Sequence, residues 1–170
     1  MNGRLIFEPL RQSHADELAA VLLTEQVYAY ISERPPTVDA YRRRVEHILK
    51  GPPANMPGLS FENYAVRLAS AGSVIGTLEA TIHDSLAEVA YLFGPQYWGK
   101  GYATEALSWF SDLFLGRSSI SGLWAATLQT NLRSVALLTR CGYRQVEPRH
   151  APKLLSYEEG DLVFCLPRAA

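Results

Sequence analysis

At 170 residues, 48% of them hydrophobic and 19% charged, the chain suits one soluble domain with a sizeable core. Lys and Arg number 16 against 17 Asp and Glu, for a net charge of -1; a protein that lives on phosphate backbones carries a basic excess, so no nucleic acid is expected as main partner. No apolar run approaches the ~20 residues needed to span a bilayer, the opening stretch lacks the charged-then-apolar order of a secretory signal, and Cys141 and Cys165 give neither a disulfide framework nor a zinc spacing. No membrane or metal partner is therefore expected, and both cysteines read as small buried hydrophobes in a reducing cytoplasm.

Residues Arg4 to Leu10 read as a strand. Ser13 is placed to cap a helix from His14 to about Leu23, with Glu17 early in it. The Pro35-Pro36 break opens a second helix, about Thr37 to Lys50, which Gly51-Pro52-Pro53 closes; the run Arg42-Arg43-Arg44 is its solvated face. A surface loop from Gly51 to Gly58 precedes three strands: Glu62 to Ser70, Val74 to His83, and Leu86 to Phe93 after an Asp84-Ser85 turn. A helix from about Gly101 to Leu115 carries Ala103, Ala106, Leu107, Phe110, Leu113 and Phe114 on one face. Then follow a strand from Gly122 to Leu128, a helix from Asn131 to Cys141 with Gly142 past its end, and strands at Tyr143 to Glu147 and Leu162 to Leu166. Helices interleaved with one mixed sheet make an α/β fold.

Chemistry concentrates where the Leu86 to Phe93 strand runs into Tyr97-Trp98-Gly99-Lys100-Gly101-Tyr102-Ala103-Thr104-Glu105-Ala106. A glycine-rich turn that opens a helix presents backbone N–H groups lacking an internal partner, backed by the positive end of the helix dipole. Such a cradle suits a phosphate or pyrophosphate. It is neither the Walker pattern nor G-x-G-x-x-G, since Thr104 stands where the third glycine would be; a tight strand–helix turn with no ligand is the competing reading. The four histidines show no metal-ligand spacing and are expected on the surface.

The stretch Tyr97 to Ala106 resembles the acetyl-CoA pyrophosphate loop of GNAT-family N-acetyltransferases, closest to the branch of the ribosomal-protein N-terminal acetyltransferases RimJ and RimL. Gly101 and Ala103 fill the last two places of the Gln/Arg-x-x-Gly-x-Gly/Ala pattern, and Trp98 stands where Gln or Arg is usual. Asn131-Leu-Arg-Ser134 through Gly142-Tyr143 resembles the family's Asn-x-x-Ser…Gly-Phe/Tyr helix, at the family's separation from the first block. With the element order, the resemblance spans nearly the whole chain. It implies a GNAT-like fold, a single mixed, mostly antiparallel twisted sheet flanked by helices.

The resemblance further implies that residues 99–103, that is Gly99, Lys100, Gly101, Tyr102 and Ala103, hold the pyrophosphate with Thr104 and Trp98 beside them. Leu92 and Phe93 would pair their backbone with the pantetheine arm, the Phe93 N–H facing the acetyl carbonyl, and Asn131 would bond that arm. Arg133 and Arg140 either approach the nucleotide phosphates or are solvated. Ser134 is the candidate general acid for the departing thiolate, against a plain helix-surface serine. Glu88 is the candidate base, Glu79 the alternative, and a solvated strand-face carboxylate the competing reading of each; proximity alone is a third route. Acetyl-CoA is the implied cosubstrate. The implied acceptor is an amine, a protein N-terminus or a small molecule, with a homodimer as the family's common assembly. A catalytically idle acyl-CoA sensor is the alternative function.

Overall fold

The computed structural model describes residues 3–31 and 34–168. Seven strands form one sheet in the order β1-β2-β3-β4-β5-β7-β6: β1 Leu5–Pro9, β2 Ser60–Leu68, β3 Val74–His83, β4 Leu86–Phe93, β5 Gly122–Leu128, β6 Arg144–Val146 and β7 Asp161–Pro167. Every pairing is antiparallel except β4 with β5. The helices are α1 Ala15–Leu22, α2 Glu25–Tyr28, α3 Val38–Leu49, α4 Tyr102–Leu115 and α5 Leu132–Arg140. The expected fold class is borne out.

Side-chain alternation along β4 sorts the two faces. Ala87, Val89 and Phe93 join Leu107, Phe110 and Phe114 of α4 and Leu137 and Leu138 of α5 in the main core. Fully burying each of these Val, Leu and Phe side chains contributes about 1.5–3 kcal/mol. Leu92, from the other set, packs with Leu18 and Leu22 of α1 and Tyr41 and Val45 of α3. The sheet is therefore the middle layer. Asp84 and Ser85 both take positive φ, 47° and 63°, which suits a two-residue hairpin and fixes the β3–β4 register.

Local chemistry accounts for the helix ends. The Thr37 hydroxyl accepts from Ala40 N at 3.2 Å and caps α3. Past α5, Gly142 N donates to Thr139 O and Tyr143 N to Leu138 O, the paired bonds of a Schellman motif. Ser13 does not cap α1. A 3-10 turn, Gln12–His14, intervenes, and the His14 ring accepts the Arg11 amide. The histidine expectation needs correction as well, because His14 and His83 are buried. Each is a packed ring with polar partners, Glu8 for His14 and Glu88 with Asp84 for His83. Both cysteines are half-buried rather than buried.

Candidate active site

Pairing of β4 with β5 covers only Leu86, Ala87 and Glu88 against Gly122, Leu123 and Trp124. Beyond Glu88 the two strands part, and the rest of β4 has no strand neighbour on that side. Gly94 N donates to Ile75 O, so ladder alternation turns the peptide groups of Leu92 toward β3 and those of Val89, Tyr91 and Phe93 toward the gap. An extended ligand arm entering the wedge would meet this second set. Of the two residues read for that task, Phe93 has its amide on the open edge; Leu92 has its own spent on Thr77, its register partner.

The α4 N-terminus opens beside the mouth of this wedge. Gly99 and Gly101 take φ of 73° and 79°, left-handed conformations that residues with a Cβ adopt at a cost. Gly101 is the N-cap and offers no side-chain cap. The first intrahelical bond runs from Glu105 N to Gly101 O, so the amides of Tyr102, Ala103 and Thr104 have no intrahelical acceptor. A Cβ at Gly99 would stand in open space, and one at Gly101 would meet only Arg4 Nη2 at 3.4 Å. An uncapped helix start with open space above it fits an incoming diphosphate.

Cations ring this junction. Arg4 donates to Lys100 O at 2.9 Å and to Glu105 at 2.8 Å, with its guanidinium 4.7 Å from the Tyr102 ring centroid. Arg140 reaches Thr104 Oγ1 at 3.4 Å, while Arg133 lies 4.4 Å over the Trp98 ring. Lys100 faces the Tyr97 ring. Trp98 Nε1 donates to Phe93 O at 2.7 Å, tying the loop to the end of β4.

Across the wedge, α5 presents Asn131 and Ser134. Asn131 Oδ1 accepts Ser134 N at 3.2 Å as the helix cap, which leaves the Asn131 amide protons as donors. Ser134 Oγ lies 2.8 Å from Tyr91 Oη on β4. Burial pushes the Tyr91 phenol up to about 12, partly offset by that hydroxyl contact. The pair holds two hydroxyl protons and uses one between its members, so one remains to donate.

The opposite face of β4 carries Glu88, Ala90 and Leu92. Ala90 is exposed although it lies in an interior strand. Its register partner Glu79 is partly exposed and has Arg44 at 3.4 Å. Ala90 and Glu79 thus leave a trough of open sheet on this face. Glu88 borders it and is 4% exposed. Its Oε1 receives Leu155 N at 2.6 Å and lies 2.5 Å from His83 Nε2; its Oε2 receives Ser156 N at 2.8 Å and the Ser156 hydroxyl. Burial alone would raise the Glu88 pKa, but these donors overcome it and hold the carboxyl below its ordinary range. His83 shows the mirror balance: desolvation pulls its pKa down, and the bonds to Glu88 and Asp84 carry it above the usual value. The two form an ion pair. Among the described residues, no His, Cys, Asp and Glu cluster could hold a metal ion, and no helix is long and apolar enough to cross a membrane.

The family model for the acetyltransferase (GNAT) domain matches residues 4–144. The chain belongs to the GNAT acetyltransferases. It is an acyltransferase, and acetyl-CoA is its cosubstrate. The sequence finds no significant match among curated proteins. Similar solved structures include a GNAT-family acetyltransferase from Bacillus anthracis, 17% identical over 98% of this chain and 96% of that one, TM-score 0.77. The Salmonella typhimurium acetyl transferase that modifies the N-terminal serine of ribosomal protein L7/L12 is 14% identical over 98% and 96%, TM-score 0.78. A spermidine N-acetyltransferase from Vibrio cholerae, in complex with CoA and spermine, is 16% identical over 98% and 97%, TM-score 0.75. At such identities they share the GNAT fold.

Some residues at this GNAT site gave no sign in the sequence. Arg4 acts on a loop 96 residues downstream, and Leu155 and Ser156 reach back 67 and 68 residues to Glu88. Tyr91 was legible in principle: it shares the strand face of Phe93, two residues before it, and bears a hydroxyl.

Proposed function

We propose that this chain is a single N-acetyltransferase domain that moves the acetyl group of acetyl-CoA to a primary amine by direct attack in a ternary complex. The observation that carries the proposal is the uncapped α4 N-terminus beside a sheet split between β4 and β5. The amides of residues 99–104, with Arg4 and Arg140 nearby, would hold the diphosphate. The free β4 edge and Asn131 would hold the arm, and the Phe93 N–H would meet charge developing on the acetyl oxygen. The bound thioester supplies the activated acetyl group. The amine nitrogen bonds to the acetyl carbon, the C–S bond breaks, the sulfur leaves as thiolate, and the nitrogen passes its extra proton to water.

Magnitudes assign the hydroxyl pair. A thiol ionises near ~8.5, well below the value of about 12 for Tyr91. Complete transfer of a proton from Tyr91 to the thiolate is therefore uphill. The free hydroxyl proton of the Tyr91–Ser134 pair acts by hydrogen bonding to the departing sulfur, which narrows the acid role expected of Ser134 to that of a donor.

The same reasoning bears on the acceptor. All four lone-pair positions of Glu88 are taken, so its carboxylate has none left for an ammonium proton; Glu79 is the carboxylate that opens on the trough. Deprotonating an alkyl ammonium of pKa ~10.4 at neutral pH costs about 4.6 kcal/mol, against about 1 kcal/mol for an α-amino group near ~7.8. A peptide N-terminus suits a site without a free buried base, and an alkyl amine suits it less. The test is thiol release from acetyl-CoA, with mass analysis of the product, using a serine-N-terminal peptide and spermidine. Acetylated peptide formed at the higher kcat/KM supports the reading. Preference for spermidine overturns the acceptor class, and tight CoA binding without turnover on a wide amine panel identifies an idle sensor instead.

A further inference from the structure

We propose that Glu88 is a positioning residue: with His83 it pins Leu155 and Ser156 at the apex of the β4–β5 split and thereby sets one wall of the acceptor trough. The inference rests on the acetyltransferase reading for the word acceptor, but the pinning does not.

A carboxylate so far from water is kept ionised only if its lone pairs are filled. Here they are filled by one imidazole and by three donors from a single dipeptide of the β6–β7 connection. Besides these, the hydrogen bonds and the ion pair described for residues 148–156 go only to Glu147 and Pro148, within the same connection. Strand β6, which leads into it, has three residues. The Glu88 carboxylate is thus the polar tie between this segment and the sheet. The tie lands at the last paired position of β4, two residues along the same face from exposed Ala90. It fixes the backbone of Leu155 while leaving the residue 49% exposed. A large apolar side chain in water on an immobilised backbone beside Glu88 offers a contact surface for the group next to the reacting amine.

Glu88→Gln tests this, because the carboxamide NH2 takes the place of one oxygen and sets donors against either the Leu155 amide or the Ser156 amide, while the oxygen left for the other amide loses its charge. Ser156→Ala removes one donor and leaves the buried ion pair intact. Hydrogen exchange of residues 155 and 156, calorimetric titration with CoA, and initial rates with the serine-N-terminal peptide and with spermidine are compared with wild type. In Glu88→Gln, exchange at both amides should quicken at least about tenfold, as expected for lost charge-assisted bonds. Acceptor KM should rise at least about tenfold with kcat within about threefold, while CoA affinity stays unchanged. Ser156→Ala should shift exchange and KM the same way by less. Unaltered exchange in both variants overturns the pinning. A fall in kcat of about a hundredfold at constant acceptor KM overturns the positioning role and makes Glu88 a base. Exchange needs no acceptor, so absence of turnover in the wild type would sink the acetyltransferase reading separately.

Discussion

Substituting Gly101 probes the diphosphate cradle most sharply. Its φ of 79° costs a residue with a Cβ about 1–2 kcal/mol. In Gly101→Ala the free loop can relax away from that conformation, and binding must restore it, so CoA affinity should fall about tenfold. In Gly101→Glu a carboxylate is added. At about 5 Å from a phosphate charge and an effective dielectric near 20, repulsion comes to about 3 kcal/mol. Arg4 Nη2, 3.4 Å from the added Cβ, offsets part of it, though Arg4 already serves Glu105 and Lys100 O. With the strain included, affinity should drop about a hundredfold or more. Gly101→Lys carries the same strain with the opposite charge and should bind no worse than Gly101→Ala. Calorimetric titration with CoA, at low and at high salt, reads all three. Affinity of Gly101→Glu within about threefold of wild type would refute the cradle, as would equal losses for Glu and Lys.

Further outcomes follow from the site. Ser134→Ala strips Tyr91 of its partner and should lower kcat at least about tenfold with little change in CoA affinity; Tyr91→Phe should do the same, and the double variant should lose much less than the product of the two. Additive losses would show that the hydroxyls act separately. The His83–Glu88 pair predicts a pH window. His83 is raised above 6.5, so its contribution is complete below 6.5 and fades as pH climbs through its folded value. Glu88 is lowered below 4.5, so its contribution is complete above 4.5 and fades as pH falls through its folded value. The stability lost in His83→Asn, measured by urea unfolding, should therefore be greatest between pH 4.5 and 6.5 and shrink on either side. A loss that grows steadily above pH 8 would contradict the ion pair.

How much was legible in the sequence depended on range. Strands declared themselves as short apolar runs bounded by turns, as in Leu86–Phe93 between Asp84-Ser85 and Gly94-Pro95, and α4 by its repeating apolar face, since both signals are local. The short helix Glu25–Tyr28 did not, for four residues carry too little periodicity. The diphosphate loop was readable because its chemistry is main-chain and local: two glycines after a strand. Glu88 marks the limit. Its strand position placed it at the trough, but whether a carboxylate acts as base or anchor depends on who donates to it, and three of its donors come from 67 or 68 residues away. The buried histidines were missed for a different reason: their partners Glu8 and Glu88 lie close in sequence, but which of the nearby carboxylates meets the ring is set by the hairpin and the strand pairing.

The central claim is that main-chain amides at one strand-to-helix junction grip acetyl-CoA. Amide chemical shifts of the isotopically labelled protein, followed as CoA is added, test it residue by residue. The account predicts saturable shifts of Gly99, Gly101, Tyr102, Ala103, Thr104 and Phe93, with Leu92 moving less because its amide serves β3. Saturable shifts confined to another surface, or none at millimolar CoA in a folded sample, would contradict it.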